Sequence, residues 1–200
     1  MVAPRQSGSP RPWSTAFLGI GSNMGDRLGH LRRAVFGLAT HPQIQVESFS
    51  GVFETEYDGE GRQEPYLNAC VKVRTALPPQ VLLSVLKSVE QRHGRLPGGH
   101  MQPRTLDLDI LLFDGRQLHG QSLTVPHPRL RQRAFVLEPL NQIAPAEKFP
   151  DSGETVGSAC AKIRQKSGPW LRECREFSLL PEATAASKED WRAALAVHCR

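Results

Sequence analysis

The chain has 200 residues, of which 39% are hydrophobic and 22% charged, and it carries a formal net charge of +5 at pH 7. This length fits one domain with extensions, and this composition is typical of a globular protein rather than a disordered one. Because no apolar run is long enough to span a bilayer and the N-terminus lacks the apolar segment of a secretory signal, we expect a cytoplasmic protein. The basic residues are dispersed and mainly arginine, which predicts an anionic ligand such as a nucleotide.

The first part of the chain predicts a strand, a helix and two more strands. Residues 15–21 form a short apolar run that ends in turn residues, which is typical of a strand. Asp26 can cap the next helix, whose apolar residues recur at helical spacing until Pro42 stops it. Residues 44–53 and 66–75 then predict the two further strands.

The next part of the chain predicts a second helix and a fourth strand. Pro78-Pro79 opens the helix, because proline fits the first turn, and Gly94 ends it. The predicted core face of this helix consists of Val81, Leu82, Val85, Leu86 and Val89. An apolar strand then begins at Asp107. The order βαββαβ predicts an α+β protein with a ferredoxin-like antiparallel sheet and helices on one face.

The remaining sequence predicts additions to this sheet. We expect a short strand or strand pair over residues 118–125, a helix over 129–141 and a packing helix over 156–163. Residues 190–198 carry a further helical stripe.

The domain prediction has three parts. Residues 1–14 are a disordered N-terminal arm, residues 15–163 are the domain, and residues 164–200 are a C-terminal extension with helical character.

Two carboxylates, Asp107 and Asp109, stand two residues apart at the start of the fourth strand. Alternate strand residues project from the same face, so both carboxylates point together while the apolar residues around them face the other way. Mg²⁺ takes one or two carboxylates plus substrate phosphates, and a pair of ions can clamp a phosphoryl group. Arg104 adds a phosphate-binding group nearby. A polar strand entry facing water, followed by a turn at Asp114-Gly115, is the alternative that these residues leave open.

Five motifs in chain order carry a family resemblance. They are Gly21-Ser22-Asn23, Tyr66-Leu67-Asn68-Ala69, residues 103–113, Leu123-Thr124-Val125-Pro126-His127 and Arg133-Ala134-Phe135-Val136-Leu137. Together they resemble 6-hydroxymethyl-7,8-dihydropterin pyrophosphokinase of folate biosynthesis over roughly residues 15–163. The resemblance implies transfer of diphosphate from ATP to the pterin hydroxymethyl group, with release of AMP, by an enzyme that depends on two Mg²⁺ ions.

The resemblance also implies roles for individual residues. Asp107 and Asp109 hold the two Mg²⁺ ions, Arg104 contacts the triphosphate, and Arg95 lies on a mobile loop that closes over the site; these four residues are the implied catalytic set. The implied ATP-binding residues are Glu90, Arg104, Ile110, Thr124, His127 and Arg133. The implied pterin-binding residues are Thr55, Tyr66, Asn68, Met101 and Phe135.

Some of these residues have a plainer interpretation when they are taken alone. Arg95 could be a solvated charge at a helix end, His127 a turn residue between prolines, and Phe135 an ordinary core residue. Asn68 within an apolar strand is more informative, because a buried amide needs hydrogen-bond partners and a flat heterocycle can supply them.

The sequence also departs from the family pattern. Met101, Pro97 and Pro128 stand where family members often carry tryptophan, arginine and an aromatic residue, respectively, and the mobile loop is one residue shorter. The segment 56–58 lacks the usual prolines. Because lid motions can limit turnover, we expect these changes to affect loop closure more than the reaction.

Two other functions stay open at this level. A ferredoxin-like RNA-binding module would explain the positive charge, but the sheet lacks the aromatic residues of such modules and its aspartates would repel phosphate. A non-catalytic relative could bind pterin and nucleotide as a sensor. We expect ATP and 6-hydroxymethyl-7,8-dihydropterin as ligands, no nucleic acid or membrane partner, and a monomer that can contact a neighbouring enzyme of folate biosynthesis.

Overall fold

The computed structural model of the chain describes residues 12–57, 59, 61–95, 102–166 and 171–180. Its strands are β1 (Ser14–Ser22), β2 (Ile44–Phe49), β3 (Phe53–Thr55), β4 (Tyr66–Thr75), β5 (Asp107–Phe113), β6 (Leu118–His119), β7 (Thr124–Val125) and β8 (Leu171–Glu173). Its α-helices are α1 (Arg27–Ala39), α2 (Pro79–Arg92), α3 (Ala134–Ile143) and α4 (Val156–Arg164), and a 3₁₀ turn covers Leu130–Gln132. The predictions for Pro97, Met101 and residues 190–198 lie outside the described residues, as do residues 1–11 of the predicted arm 1–14. Residues 12–14 of that arm are described, and Ser14 is the first residue of β1.

The main sheet contains the predicted βαββαβ arrangement. Its strands follow the order β5-β1-β4-β3-β8, β2 also pairs with β4, and these pairings are antiparallel. Helix α1 connects β1 to β2, and α2 connects β4 to β5. Strands β6 and β7 form the predicted additional pair. The ferredoxin-like prediction is therefore confirmed.

The single strand predicted over residues 44–53 is instead two strands, which pair with different halves of β4. Strand β2 pairs with residues 71–75 and β3 with residues 66–68. Between them, the Ser50 hydroxyl accepts a hydrogen bond from the Cys70 amide at 2.9 Å and donates one to the Gly51 carbonyl at 2.7 Å. Because a side chain takes the place of a backbone partner, the strand is interrupted there.

Apolar clusters cover both faces of the sheet. Leu18 of β1 and Leu108 of β5 pack in the cluster that includes α1 and α2. Phe17, Cys70 and Leu112 project from the other face into a second cluster with α3 and α4. The sequence predicted helices on one face only. Helices α3 and α4 cover part of the second face, because the strands present apolar side chains there as well.

The helix boundaries follow local signals with one exception. Asp26 caps α1 as predicted, since its carboxylate accepts a hydrogen bond from a first-turn amide at 2.9 Å. Helix α2 begins at Pro79 and buries Leu86, but Val81 is 46% exposed, so its assignment to the core face is wrong. None of the helices formed by the described residues has both the length and the apolar character that crossing a membrane requires.

Part of the predicted C-terminal extension adds a strand to the sheet. Strand β8 pairs with β3, and Cys174 and Leu179 are each only 1% exposed within the larger apolar cluster. The sequence did not predict this strand, because three residues contain too little alternation to be recognised.

Leu86→Ala should lower the free energy of unfolding by about 2–5 kcal/mol, because Leu86 is fully buried and the substitution leaves a cavity. Val81→Ala is the matched control on the same helix, and it should change the free energy by less than about 0.5 kcal/mol. Urea unfolding followed by circular dichroism measures both values. Equal losses in the two variants would contradict the assigned core face of α2.

Candidate active site

Three neighbouring strands arrange the predicted site residues in rows on the second face of the sheet. In one row Asn68 of β4, Gly21 of β1 and Asp107 of β5 are paired in register, and in another row Gly19 pairs with Asp109. Because alternate strand residues project from one face, the side chains of Asn68, Asp107 and Asp109 share a face. Two strand spacings, about 9–10 Å, separate Asn68 from Asp107 along their row.

Two glycines on the central strand keep the floor between these side chains open. A Cβ atom at Gly21 would lie 3.0 Å from Asn68 Oδ1, and a Cβ atom at Gly19 would lie 3.3 Å from Leu111 Cδ2. Both contacts are tighter than ordinary van der Waals contact, so a larger residue would displace its neighbour. Glycine therefore allows a ligand to approach the backbone of β1 closely.

A cavity of about 420 Å³ opens above this floor. The segment 127–136, which leads into α3, and the segment 55–57, which follows β3, line its sides. The predicted site residues that line it are Thr55, Tyr66, Asn68, Arg104, Asp107, Asp109, His127, Arg133 and Phe135. The structure thus brings residues from distant parts of the chain to one cavity whose volume suits a small-molecule site.

Asp107 is held between two guanidinium groups. Its Oδ1 accepts a hydrogen bond from Arg95 Nη1 at 2.6 Å, and its Oδ2 accepts one from Arg104 Nη1 at 2.8 Å. Burial raises the pKa of Asp107, but the charges of Arg104 and Arg95 outweigh burial and keep the pKa below its ordinary value. Asp107 is therefore ionised at neutral pH. The interpretation of Arg95 as a solvated charge at a helix end does not hold, because α2 ends at Arg92 and Arg95 turns toward Asp107.

Glu90 of α2 links the helix layer to β5. The residue is 1% exposed, and its Oε1 accepts hydrogen bonds from the Leu108 amide at 2.6 Å and from Lys87 Nζ at 2.8 Å. The same oxygen lies 2.5 Å from Arg95 Nη1. Burial outweighs the opposing contacts with Lys87, the Leu108 amide and Arg95, so the pKa of Glu90 lies above its ordinary value. Glu90 therefore positions Arg95, which in turn contacts Asp107.

Asp109 has looser contacts than Asp107. Lys87 Nζ lies 3.8 Å from its Oδ1, His127 Nε2 lies 3.9 Å from its Oδ2, and its side chain is 39% exposed. The pKa of His127 is below its ordinary value, because burial and the charges of Arg133 and Arg129 outweigh the attraction of Asp109. Because a neutral His127 forms no ion pair with Asp109, Asp109 is the more accessible carboxylate of the pair.

Asn68 presents a donor without a partner. The residue is 8% exposed, and its Nδ2 has no hydrogen-bond acceptor among the described residues. An unsatisfied buried donor costs free energy, so its position at a cavity indicates a ligand that supplies the acceptor. The rings of Tyr57 and Tyr66 also line the cavity and stack with centroids 6.4 Å apart, and Phe135 lines it from α3. These rings favour a flat aromatic ligand.

Asn23 positions Arg104, a role that the sequence did not reveal. Asn23 Oδ1 accepts a hydrogen bond from the Arg104 backbone amide at 2.7 Å, and the Asn23 backbone amide donates one to the Arg104 carbonyl at 3.0 Å. Its Nδ2 donates to Gln63 Oε1 at 3.0 Å. The turn that follows β1 therefore fixes the chain that leads into β5.

Three predicted nucleotide-site residues do not line the cavity. Ile110 is 2% exposed and packs in the cluster with α1 and α2, on the face opposite Asp109. Thr124 is half-buried on β7, and Glu90 reaches the site through its contacts with Lys87 and Arg95. The predicted pterin residue Met101 lies outside the described residues.

Several residues at the site were not predicted. The additional cavity residues are Gly19, Ile20, Gly21, Glu56, Tyr57, Ala69, Gln102, Leu111, Arg129 and Val136, and Lys87 contacts Asp109. Lys87 could have been found from its position three residues before Glu90 on the same helix face, and the strand glycines from their cost within a sheet. Arg129 carries no local signal.

The described residues contain no group of three or more His, Cys, Asp and Glu side chains that could hold a metal ion. Asp107 and Asp109 supply two carboxylates on one face of β5. One or two carboxylates, completed by substrate phosphates and water, are a common ligand set for Mg²⁺ in proteins.

Comparison with known proteins relates these features to a family. The family model for 7,8-dihydro-6-hydroxymethylpterin-pyrophosphokinase (HPPK) matches residues 17–145. A 2-amino-4-hydroxy-6-hydroxymethyldihydropteridine pyrophosphokinase of Bacillus subtilis is 40% identical over 154 residues, which cover 76% of this chain and 92% of the relative. The protein of the same name from Methylorubrum extorquens is 42% identical over 148 residues, or 74% of this chain and 92% of the relative.

Longer proteins are also similar to this chain. The bifunctional protein FolKE of Lactococcus lactis is 36% identical over 129 residues, which are 64% of this chain and 37% of that protein. The solved wild-type HPPK-DHPS of Plasmodium falciparum has a TM-score of 0.60 at 14% identity, and the match covers 78% of this chain and 45% of that one. The latter likeness concerns the fold alone, and this chain spans less than half of either longer protein. From the matched family model and the relatives at 40% identity or more, the chain belongs to the HPPK family.

Proposed function

We propose that the cavity above Asn68, Gly21 and Asp107 is the active site of this pyrophosphokinase and that the enzyme uses two Mg²⁺ ions. As a member of its family, the chain transfers a diphosphate group from ATP to 6-hydroxymethyl-7,8-dihydropterin, which yields AMP and the pterin diphosphate. The observation that carries the assignment is a single row of residues. In this row, the unpartnered Asn68 amide and the ionised Asp107 carboxylate face the same cavity from either side of Gly21.

The carboxylate end of the cavity suits the triphosphate of ATP. Arg104, His127 and Arg133 line the cavity, and Arg95 contacts Asp107. Guanidinium groups form bidentate, charge-assisted hydrogen bonds with phosphate, and a neutral imidazole can donate or accept without adding charge. We therefore assign the nucleotide to this end and the catalytic roles to Arg95, Arg104, Asp107 and Asp109.

The same carboxylates fit Mg²⁺ in different ways. Asp109 has only long contacts, at 3.8 and 3.9 Å, so its oxygens are accessible to a cation. Both oxygens of Asp107 accept hydrogen bonds from arginine, so a cation would compete there with Arg95 or Arg104. When bound, Mg²⁺ would neutralise phosphate charge and orient the transferring group.

The amide end of the cavity suits the pterin. A pterin ring is flat and carries hydrogen-bond donors and acceptors on its edge, which match the Asn68 amide. Tyr66 and Phe135 provide aromatic surfaces, and Thr55 is a polar residue 3% exposed at the end of β3. The stacked Tyr57 enlarges the aromatic surface at this end.

The arrangement of the two ends accounts for the transfer. Phosphoryl transfer depends mainly on positioning and charge neutralisation, and no covalent nucleophile is needed. Asp107 is in register with Asn68, so we expect it to be the carboxylate nearer the pterin hydroxymethyl group. Arg95 and Arg104 hold Asp107 in its ionised form, ready to accept a hydrogen bond from that hydroxyl.

Bifunctional relatives support a contact between this chain and another enzyme of folate biosynthesis. The relatives named FolKE and HPPK-DHPS join a similar domain to additional sequence in one chain. We place such a contact at the C-terminal extension. This contact, the monomeric state and the cytoplasmic location stay predictions.

Asp109→Asn should lower the rate of AMP formation at least about 100-fold. Removing groups that only support a metal's ligands costs about 10- to 100-fold in metal affinity or activity, and loss of a ligand itself should cost more. The assay measures AMP from ATP with the pterin present. Asp114→Asn is the matched control, because Asp114 follows the same strand outside this cavity at φ 52°, a conformation that asparagine tolerates. A parent-like rate in Asp109→Asn would contradict its assigned role.

Removal of Mg²⁺ by excess EDTA should abolish pterin-dependent AMP formation, and added Mg²⁺ should restore it, because the carboxylate pair needs a cation to accept phosphate. AMP formation that continues in EDTA would contradict the metal proposal alone. Folded protein that binds ATP and pterin but forms no AMP under any condition would instead support the non-catalytic relative.

Asn68→Ala should raise the dissociation constant for the pterin about 10- to 100-fold and leave that for ATP unchanged, because the ligand loses its buried amide partner. Calorimetric titration with 6-hydroxymethyl-7,8-dihydropterin, in the presence of a non-hydrolysable ATP analogue, measures the effect. Asn141→Ala on α3 removes an amide outside this cavity and should have no effect. Equal pterin affinities in the two variants would remove Asn68 from the pterin site.

A further inference from the structure

The C-terminal strand β8 lies directly beside the part of the sheet that faces the pterin end of the cavity. Strand β3 has only three residues, and it pairs with β4 on one side and β8 on the other. Thr55, the last of these residues, is in register with Tyr66 on β4 and with Leu171 on β8. Without β8, β3 would be a three-residue edge strand, which is marginal by itself.

A shared carboxylate extends this connection to the start of β4. Glu54 Oε2 lies 2.8 Å from Arg172 Nη2, and Glu54 Oε1 lies 3.0 Å from Arg27 Nη1. Arg27 Nη1 also donates a hydrogen bond to the Pro65 carbonyl at 2.6 Å, immediately before Tyr66. The ion pairs therefore join β8, β3, α1 and β4 beside Thr55 and Tyr66.

The rest of the segment 171–180 is anchored independently of this carboxylate. Gln142 of α3 donates to Glu173 Oε1 at 2.7 Å, and the Cys174 amide donates to the Val52 carbonyl at 2.8 Å. Leu179 is 1% exposed in the larger apolar cluster, and Arg32 of α1 donates to the Ser178 carbonyl at 2.9 Å. Loss of the Arg172 contact alone should therefore leave the segment in place.

We propose that Arg172 is a positioning residue for the pterin. It acts through Glu54 on the strand ends that carry Thr55 and Tyr66, and the proposal rests on the function assigned to the cavity above. The effect is confined to the pterin, because β8 and β5 are opposite edges of the main sheet. Four strand spacings, about 19 Å, separate Arg172 from the carboxylates that face the nucleotide. Residue 172 also lies beyond the stretch 17–145 that matches the family model.

The first test compares two arginine variants of the full chain. Arg172→Ala should raise the KM for 6-hydroxymethyl-7,8-dihydropterin about two- to tenfold, with the KM for ATP and kcat unchanged. This is the low end of coupling within an ion-pair network, because the Arg172 side chain is 61% exposed. Arg172→Lys should restore most of the affinity. Arg175→Ala is the matched control, because Arg175 is in the same segment, has a side chain 88% exposed, and pairs with Glu173 rather than with β3.

The second test asks whether Arg172 acts through Glu54. In a Glu54→Gln background, Arg172→Ala should no longer change the KM for the pterin, since the carboxylate that it positions is absent. Calorimetric titration with the pterin and an ATP analogue repeats the comparison without turnover. Three outcomes would each overturn the proposal: unchanged pterin affinity in Arg172→Ala, equal changes for pterin and ATP, or an undiminished effect in the Glu54→Gln background. The proposed function would still be upheld if the parent chain turns over. A parent chain that neither binds nor converts the pterin would overturn both.

Discussion

The site depends on the two-residue period of the strands, together with glycine at two adjacent positions on one face of β1. The period sets Asn68 and Asp107 on the same face, and the register places Gly21 between them. Any side chain at Gly21 would meet Asn68 Oδ1 at 3.0 Å. The central strand therefore lacks side-chain packing at these two positions, which leaves its backbone open to the cavity.

The features that follow from local geometry could be predicted from the sequence. Asp107 and Asp109 share a face because strand periodicity requires it, and Asp26 caps α1 because its carboxylate reaches the first turn. Asn68 stood out because an amide in an apolar strand must find a partner, and the structure leaves its Nδ2 unpartnered among the described residues at the cavity. These signals lie within a few residues of the groups that they describe.

The features that depend on distant partners could not be predicted. Arg95 turns toward Asp107 because Glu90 and Asp107 together attract it, and neither contact leaves a pattern in the sequence around Arg95. The break between β2 and β3 depends on a hydrogen bond from Cys70 to Ser50, and β8 depends on the free edge of β3. In each case the deciding interaction joins segments that the chain brings together only on folding.

The charges around β5 bear on the proposed Mg²⁺ ions. Three carboxylates and three cationic side chains contact one another there: Asp107, Asp109 and Glu90 with Lys87, Arg95 and Arg104. These six side chains pair largely with one another, so few of their positive charges are left for a triphosphate, and the ionised Asp107 repels phosphate at short range. Asp107 and Asp109 would hold the proposed Mg²⁺ ions, which would neutralise phosphate charge and so relieve this repulsion. Arg129 and Arg133 on the side of the cavity add positive charge but leave the carboxylates unchanged. In the proposed site, the aspartate pair would therefore favour a metal-bound nucleotide over a bare one.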